Sequence, residues 1–112
     1  LQGSEVIENA ATLSKNPRTL ELLWQEYKHG IDGRKSAEQF TTAERNRTTR
    51  VKQTYYRRKT FWDAIEKMIR GGATCQTAIG RIRQIYGATT SVTNVLMDMK
   101  SDKRNGFHPD LY

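Results

Sequence analysis

Apolar residues recur along this chain with a helical period, and no segment alternates with period two over a useful length. In "NPRTLELLWQEYKHG", Leu20, Leu23, Trp24, Tyr27 and Ile31 follow the i, i+3, i+4 spacing of a buried helix face. Asn16 is a candidate N-cap, Pro17 suits the first helical position, and Gly30 is a terminator, so a first helix is predicted over 17–29. "GIDGRKS" reads as a turn. Ser36 and Gln39 form a capping-box pair with Phe40 as an apolar contact, which predicts a short second helix over 36–44. The third helix is the longest, from Thr48 to Arg70, and stops at Gly71-Gly72. At 100° per residue, Val51, Tyr55, Trp62, Ile65 and Ile69 share a narrow arc on it.

Thr74 caps a fourth predicted helix, with Ala78, Ile79, Ile82, Ile85 and Tyr86 as its stripe and Gly87 as its end. Ser91 caps a fifth, with Val92, Val95, Leu96 and Met99 inward. "FHPDLY" is expected to be an extended tail. The expected fold is therefore all-α, a compact bundle of about five helices with short loops. Residues 1–15 are expected to be a loose segment that opens on a tag remnant, "LQGS". Residues 16–106 form the predicted helical domain, and 107–112 the tail.

Charge is distributed unevenly over this pattern. The chain has 112 residues, with 19 basic and 12 acidic side chains, a balance of +7. "RNRTTRVKQTYYRRKTFW", residues 45–62, holds seven Arg or Lys and no acid, and with those seven set aside the other 12 basic residues balance the 12 acidic ones. A balance of this kind points to a polyanionic partner, nucleic acid first and an acidic membrane surface second. No apolar run approaches the roughly 20 residues of a membrane span, and no secretory signal is recognised. The single Cys75 leaves no internal disulfide, which suits a reducing compartment. His29 and His108 are far apart in sequence, no zinc-ligand spacing is present, and "RGGAT" and "IYGAT" lack the form of a phosphate loop. No enzyme activity, metal or cofactor is expected.

The basic stretch falls on the predicted third helix, where a wheel divides it. Val51, Tyr55 and Trp62 point inward; Asn46, Thr49, Arg50, Gln53, Tyr56, Arg57 and Thr60 lie roughly opposite. Arg50, Gln53 and Arg57 are spaced i, i+3, i+7, a row that fits along a major groove, with Arg donating bidentately to guanine and Gln pairing bidentately with adenine. These three, with Asn46 and Thr49, are the candidate base contacts. Arg45, Arg47, Thr48, Lys52, Tyr56, Arg58, Lys59 and Lys35 are the candidate phosphate contacts. Arg58 falls on the inward arc, so it either reaches past the core edge to a phosphate or pairs with an acid elsewhere. A solvated charged face is the plain alternative. Against it, no acid interrupts the run to offer an i, i+4 pair, and its polar residues are hydrogen-bonding types. A long helix after two shorter ones also suits a helix-turn-helix or Myb-like arrangement on double-stranded DNA. Two other classes stay open: a non-specific RNA or single-strand module stacking bases on Tyr55 and Tyr56, and a helical domain docking an acidic protein.

"RTLELLWQEYKHGIDGRKS" followed about 20 residues later by "YYRRKTFWDAIEKMI" resembles the C-terminal DNA-binding domain family of fungal glycolytic-gene transcription activators, a domain type also found in related yeast stress-response activators. The matching positions are Arg18, Thr19, Trp24, Glu26, Tyr27, Gly30, Ile31 and Gly33, then Tyr55, Arg57, Arg58, Lys59 and Ile65. The resemblance runs over about residues 17–70. "RKSAE" stands where the family usually has Pro-Ser, and "RNR" where it often has a Trp-Arg pair. The resemblance implies sequence-specific binding to a short promoter element, CT-rich for the glycolytic activators, by the DNA-binding part of a longer nuclear factor. That parent protein would engage other transcription factors through its remaining regions.

Overall fold

The computed structural model describes residues 11–112. The predicted tag remnant, and residues 5–10 of the predicted loose segment, lie outside the described residues. Every regular element among the described residues is helical and none is a strand. They are α1 (Leu20–Lys28), a 3-10 turn (Ala37–Gln39), α2 (Thr42–Arg45), α3 (Thr49–Arg70), α4 (Cys75–Tyr86) and α5 (Val92–Arg104). The chain divides into two compact units, the first ending at Tyr56 and the second running Arg57–Tyr112, so that α3 contributes to both.

In the first unit, α1 starts later than its sequence suggests. Thr19, in extended geometry, accepts the Leu22 N–H on its Oγ1 at 3.1 Å and takes the cap role expected of Asn16. Leu20 and Leu23 are buried, while Trp24 and Tyr27 are half-buried and tilt against each other at 5.5 Å. Glu26, only 2% exposed, accepts both the N–H of Ser14 at 2.7 Å and its hydroxyl at 2.6 Å. Ala11 is also buried, so packing reaches back into the stretch expected to be loose.

Gly30 has φ +82°, and a Cβ there would stand 2.0 Å from the Arg34 carbonyl oxygen; no other residue fits that turn without moving the backbone. The helix expected over 36–44 is broken in two. Phe40 is extended (φ −62°, ψ 132°), and Thr41 with Glu44 closes a reciprocal capping box for α2, whereas Ser36 makes no side-chain cap bond.

Thr48 caps α3, its Oγ1 accepting the Val51 N–H at 3.1 Å. The helix has 22 residues, a length of about 33 Å. Tyr55, Phe61, Trp62, Ala64 and Ile65 are buried on it, while Ile69, placed inward by its spacing, is 36% exposed in the last turn. In the second unit, Thr74 and Ser91 cap α4 and α5 as expected, burying Ala78, Ile79 and Ile82 on one and Val92, Val95, Leu96 and Met99 on the other.

The C-terminal stretch folds back instead of extending. Leu111 is 1% exposed, Asp110 pairs with Arg81, and the Tyr112 and Tyr86 hydroxyls meet at 2.5 Å. Tyr86 commits its one hydroxyl proton to Asp102 at 2.8 Å, so Tyr112 donates to Tyr86.

Candidate nucleic-acid interface

The basic stretch forms the end of α2, a two-residue bend at Arg47 and Thr48, and the first half of α3. Of the expected base contacts, Asn46, Thr49, Arg50, Gln53 and Arg57 are all exposed. Of the expected phosphate contacts, Arg47, Thr48, Lys52 and Tyr56 are exposed, Arg45, Lys59 and Lys35 are half-buried, and Arg58 is buried at 7%.

Four of the cations are already engaged within the protein. The Arg45 guanidinium lies over the Tyr55 ring at 5.5 Å and reaches Thr41 O and Thr42 Oγ1 at 3.4 Å each. Lys35 bonds to Glu44 at 2.8 Å. That ammonium, with the Thr41 N–H, holds the Glu44 carboxyl below the usual carboxylate range, so the pair is closed and ionised. Lys59 bonds to Asp63 at 2.7 Å, an i, i+4 pair. The run contains no acid, but Asp63 stands one residue beyond it and neutralises its last cation. This corrects the expectation that such pairs play no part, and the signal was the Lys59–Asp63 spacing across the end of the run. Arg58 is also engaged inside the protein.

The remaining four, Arg47, Arg50, Lys52 and Arg57, make no side-chain hydrogen bond or ion pair among the described residues, and neither does Gln53. The net charge of the stretch is thus presented through a much smaller set than its composition suggests. On α3, Arg50, Gln53 and Arg57 fall within about 60° of one another and span about 10.5 Å along the axis. The next positions on that face are Phe61 and Ala64, at 0% and 1% exposure. The free row is therefore two turns long and ends where apolar burial begins. Lys52 and Tyr56 flank it on one side, and Arg47 precedes it at the bend.

Tyr55 and Tyr56 have separate fates. Tyr55 is 5% exposed and stacks on Phe40 at 6.0 Å, whereas Tyr56 is 42% exposed and meets the Tyr55 ring edge-on at 5.2 Å. The buried ring sets the rotation of α3, and with it the outward direction of the row.

Residues 12–85, more than half of the chain, match the family described as transcriptional activator of glycolytic enzymes. The chain belongs to that family. The match begins in the stretch that Ser14 ties to Glu26 and runs through α1, α2 and α3 to the end of α4. It extends on both sides of the 17–70 resemblance read from the sequence. Transcriptional activators of glycolytic enzymes are not an enzyme class. No curated protein and no solved structure matches the chain. No helix among the described residues is long and apolar enough to cross a membrane, and no three His, Cys, Asp or Glu side chains among them gather around a metal position.

Proposed function

We propose that this member of the activator family is a sequence-specific double-stranded DNA-binding domain that acts in the nucleus and reads promoter elements of glycolytic genes. The observation that carries this reading is the exposed row Arg50, Gln53 and Arg57 on α3, without side-chain partners among the described residues. Free arginines cost no internal bonds when they turn to a ligand, and an α-helix fits the major groove. Arg50 and Arg57 donate in pairs to guanine O6 and N7, and Gln53 accepts from the adenine N6 amino group while donating to N7. A CT-rich strand presents guanine and adenine on its complement, the two bases these side chains take best. Asn46 and Thr49 lie at the start of the row and reach bases beyond Arg50.

Arg47, Lys52 and the hydroxyls of Thr48 and Tyr56 hold the sugar–phosphate backbone to either side. Arg45, Lys59 and Lys35 keep their internal partners and act through the field they add. Arg58 belongs to the interior.

Selecting bound duplexes from a random library with this domain tests the reading. A sharp consensus of G and A on one strand is expected; recovery of unrelated sequences would sink it. The single-strand alternative is weakened by the burial of Tyr55, which leaves Tyr56 alone to stack on a base.

A further inference from the structure

A cationic pocket stands on α3 beyond the end of the free row. Its volume is about 270 Å3. Thr60, Ala64, Lys67 and Arg70 line it from α3, Lys103 from the last turn of α5, and Leu111 from the C-terminal turn. All of these residues lie in the second unit, and so does Arg57, the last member of the row. Helix geometry fixes the side of α3 that the pocket occupies. Thr60, Ala64 and Lys67 follow Arg57 at i+3, i+7 and i+10, which puts the four within about 80° of one another. The pocket therefore lies on the face that carries Arg57. Ala64 and Leu111, each 1% exposed, supply its apolar surface. A cation in the last turn is favourable at any helix end, which accounts for Arg70 and Lys103 singly but not for their convergence on one pocket.

Arg70 and Lys103 are exposed and make no side-chain hydrogen bond or ion pair among the described residues, and the Thr60 hydroxyl makes none either. Lys67 donates to the Pro109 carbonyl at 3.5 Å, a neutral acceptor that leaves its charge uncompensated. The one acid lining the pocket, Asp63, is bonded to Lys59 at 2.7 Å. Three uncompensated cations and a hydroxyl thus surround a small space, a donor set that suits a compact anion. Placement selects among anions. At 1.5 Å per residue, Thr60 to Lys67 stand about 4.5–15 Å beyond Arg57 along α3. A major groove is about 12 Å wide and 8.5 Å deep, so the phosphates that flank a base edge lie at this range. An acidic protein segment matches the charge but gives no reason for the pocket to follow Arg57 on one helix face.

We infer that this pocket is a phosphate-binding site, in which Arg70 and Lys103, with Lys67 and the Thr60 hydroxyl, take a phosphodiester of the duplex whose bases α3 reads. The inference rests on the proposed DNA-binding function. α3 then reads bases with its first half and grips the strand with its second, and the row stops where the helix passes from groove floor to rim. The double variant Arg70→Ala/Lys103→Ala is expected to fold normally, because both side chains are exposed and have no partner among the described residues. Its affinity falls by the same factor on every duplex, leaving base preference unchanged. Removing one phosphate contact makes the salt slope shallower by about 0.9, so raising salt from 50 to 200 mM costs the variant about threefold less than wild type.

The decisive measurement is a scan of single neutral methylphosphonates along a bound duplex, with wild type, the double alanine variant and the charge-retaining Arg70→Lys/Lys103→Arg. One or two positions are expected to weaken wild type and the charge-retaining variant but not the double alanine variant. Lys100→Ala, an exposed cation of α5 outside the pocket, serves as the control and should keep the wild-type scan. Unchanged affinity, slope and scan in the double alanine variant, with binding still lost in Arg50→Ala and Arg57→Ala, overturns the pocket and leaves the α3 reading standing. A loss in Lys100→Ala equal to that of the double variant, with both scans as in wild type, reduces the pocket to a distant field and also overturns it. Wild type that binds no duplex but captures an acidic peptide removes both.

Discussion

Arg45 lies over the ring of Tyr55, 5.5 Å from its centroid, and so ties the end of α2 to the first half of α3. The same ring stacks on Phe40. One buried aromatic therefore joins the loop before α2, the end of α2 and the helix that carries the free row. Its neighbour Tyr56 is 42% exposed. Tyr55→Ala is expected to cost about 3–5 kcal/mol of stability, as for other buried aromatic truncations. Tyr56→Ala should stay within about 0.5 kcal/mol, as an exposed substitution. Urea denaturation of both variants checks the contrast, and equal losses would refute the division of roles.

Adjacent cations in the run should separate in the same manner. Arg57→Ala or Arg50→Ala removes an exposed side chain with no partner among the described residues, so melting temperature holds. Binding to the selected duplex should weaken by about 1–3 kcal/mol and preference relax at one base position. Arg58→Ala removes a 7%-exposed, engaged guanidinium. It should lower stability by about 1.5–3 kcal/mol, the range for hydrogen bonds to charged groups. Calorimetry beside a binding titration distinguishes them; an Arg57 variant that unfolds early, or an Arg58 variant that melts normally yet cannot bind, reverses the assignment.

That separation was only partly visible in the sequence. Helix spacing alone places Arg50, Gln53 and Arg57 in one row, because a local period determines it. Which cations are free depends on non-local partners: Lys35 with Glu44 across nine residues, Arg45 with Tyr55 across ten. The helix boundaries show the same contrast. At α4 and α5 the ends fall where the cap signals Thr74, Gly87 and Ser91 indicate, and Thr90, the neighbour able to compete with Ser91, spends its hydroxyl on the Tyr86 carbonyl. At α1 and α2 two caps compete. Thr19 prevails over Asn16, and the Thr41–Glu44 box over Ser36–Gln39, because Glu44 also gains the Lys35 ammonium. The C-terminal turn has no periodic signal; Asp110 and Tyr112 are held by Arg81 and Tyr86 of α4, partners distant in sequence.

Those partners give the fold an alkaline limit. Burial and the bond donated to Asp102 push the Tyr86 hydroxyl above the ordinary tyrosine range, and burial beside Asp102 raises Tyr112. Each folded-state pKa thus lies above its unfolded value, so the contribution to stability is complete below about pH 10 and is lost as pH rises beyond that. Tyr86→Phe should cost about 1 kcal/mol at neutral pH through the lost hydrogen bonds. Its stability should then decline less steeply above pH 10 than that of wild type. Denaturation midpoints from pH 7 to 11 test this, and parallel curves would exclude Tyr86 as the source.

Two glycines should respond to alanine with opposite sign. Gly80 lies inside α4, where a Cβ would meet no atom within 4 Å. An interior helical glycine is worse than alanine by about 1 kcal/mol, so Gly80→Ala should stabilise the domain by up to that amount. Gly30 has φ +82° and no room, with Arg34 O at 2.0 Å from the added carbon. The left-handed φ alone costs a non-glycine residue about 1–3 kcal/mol, and the clash adds to it. Gly30→Ala should therefore destabilise, and it should displace the turn that carries Arg34 and Lys35. Paired melting curves measure the sign of each. A Gly80→Ala variant that melts higher but binds duplex more weakly would place that open helix face against the DNA or a partner, since nothing among the described residues occupies the space.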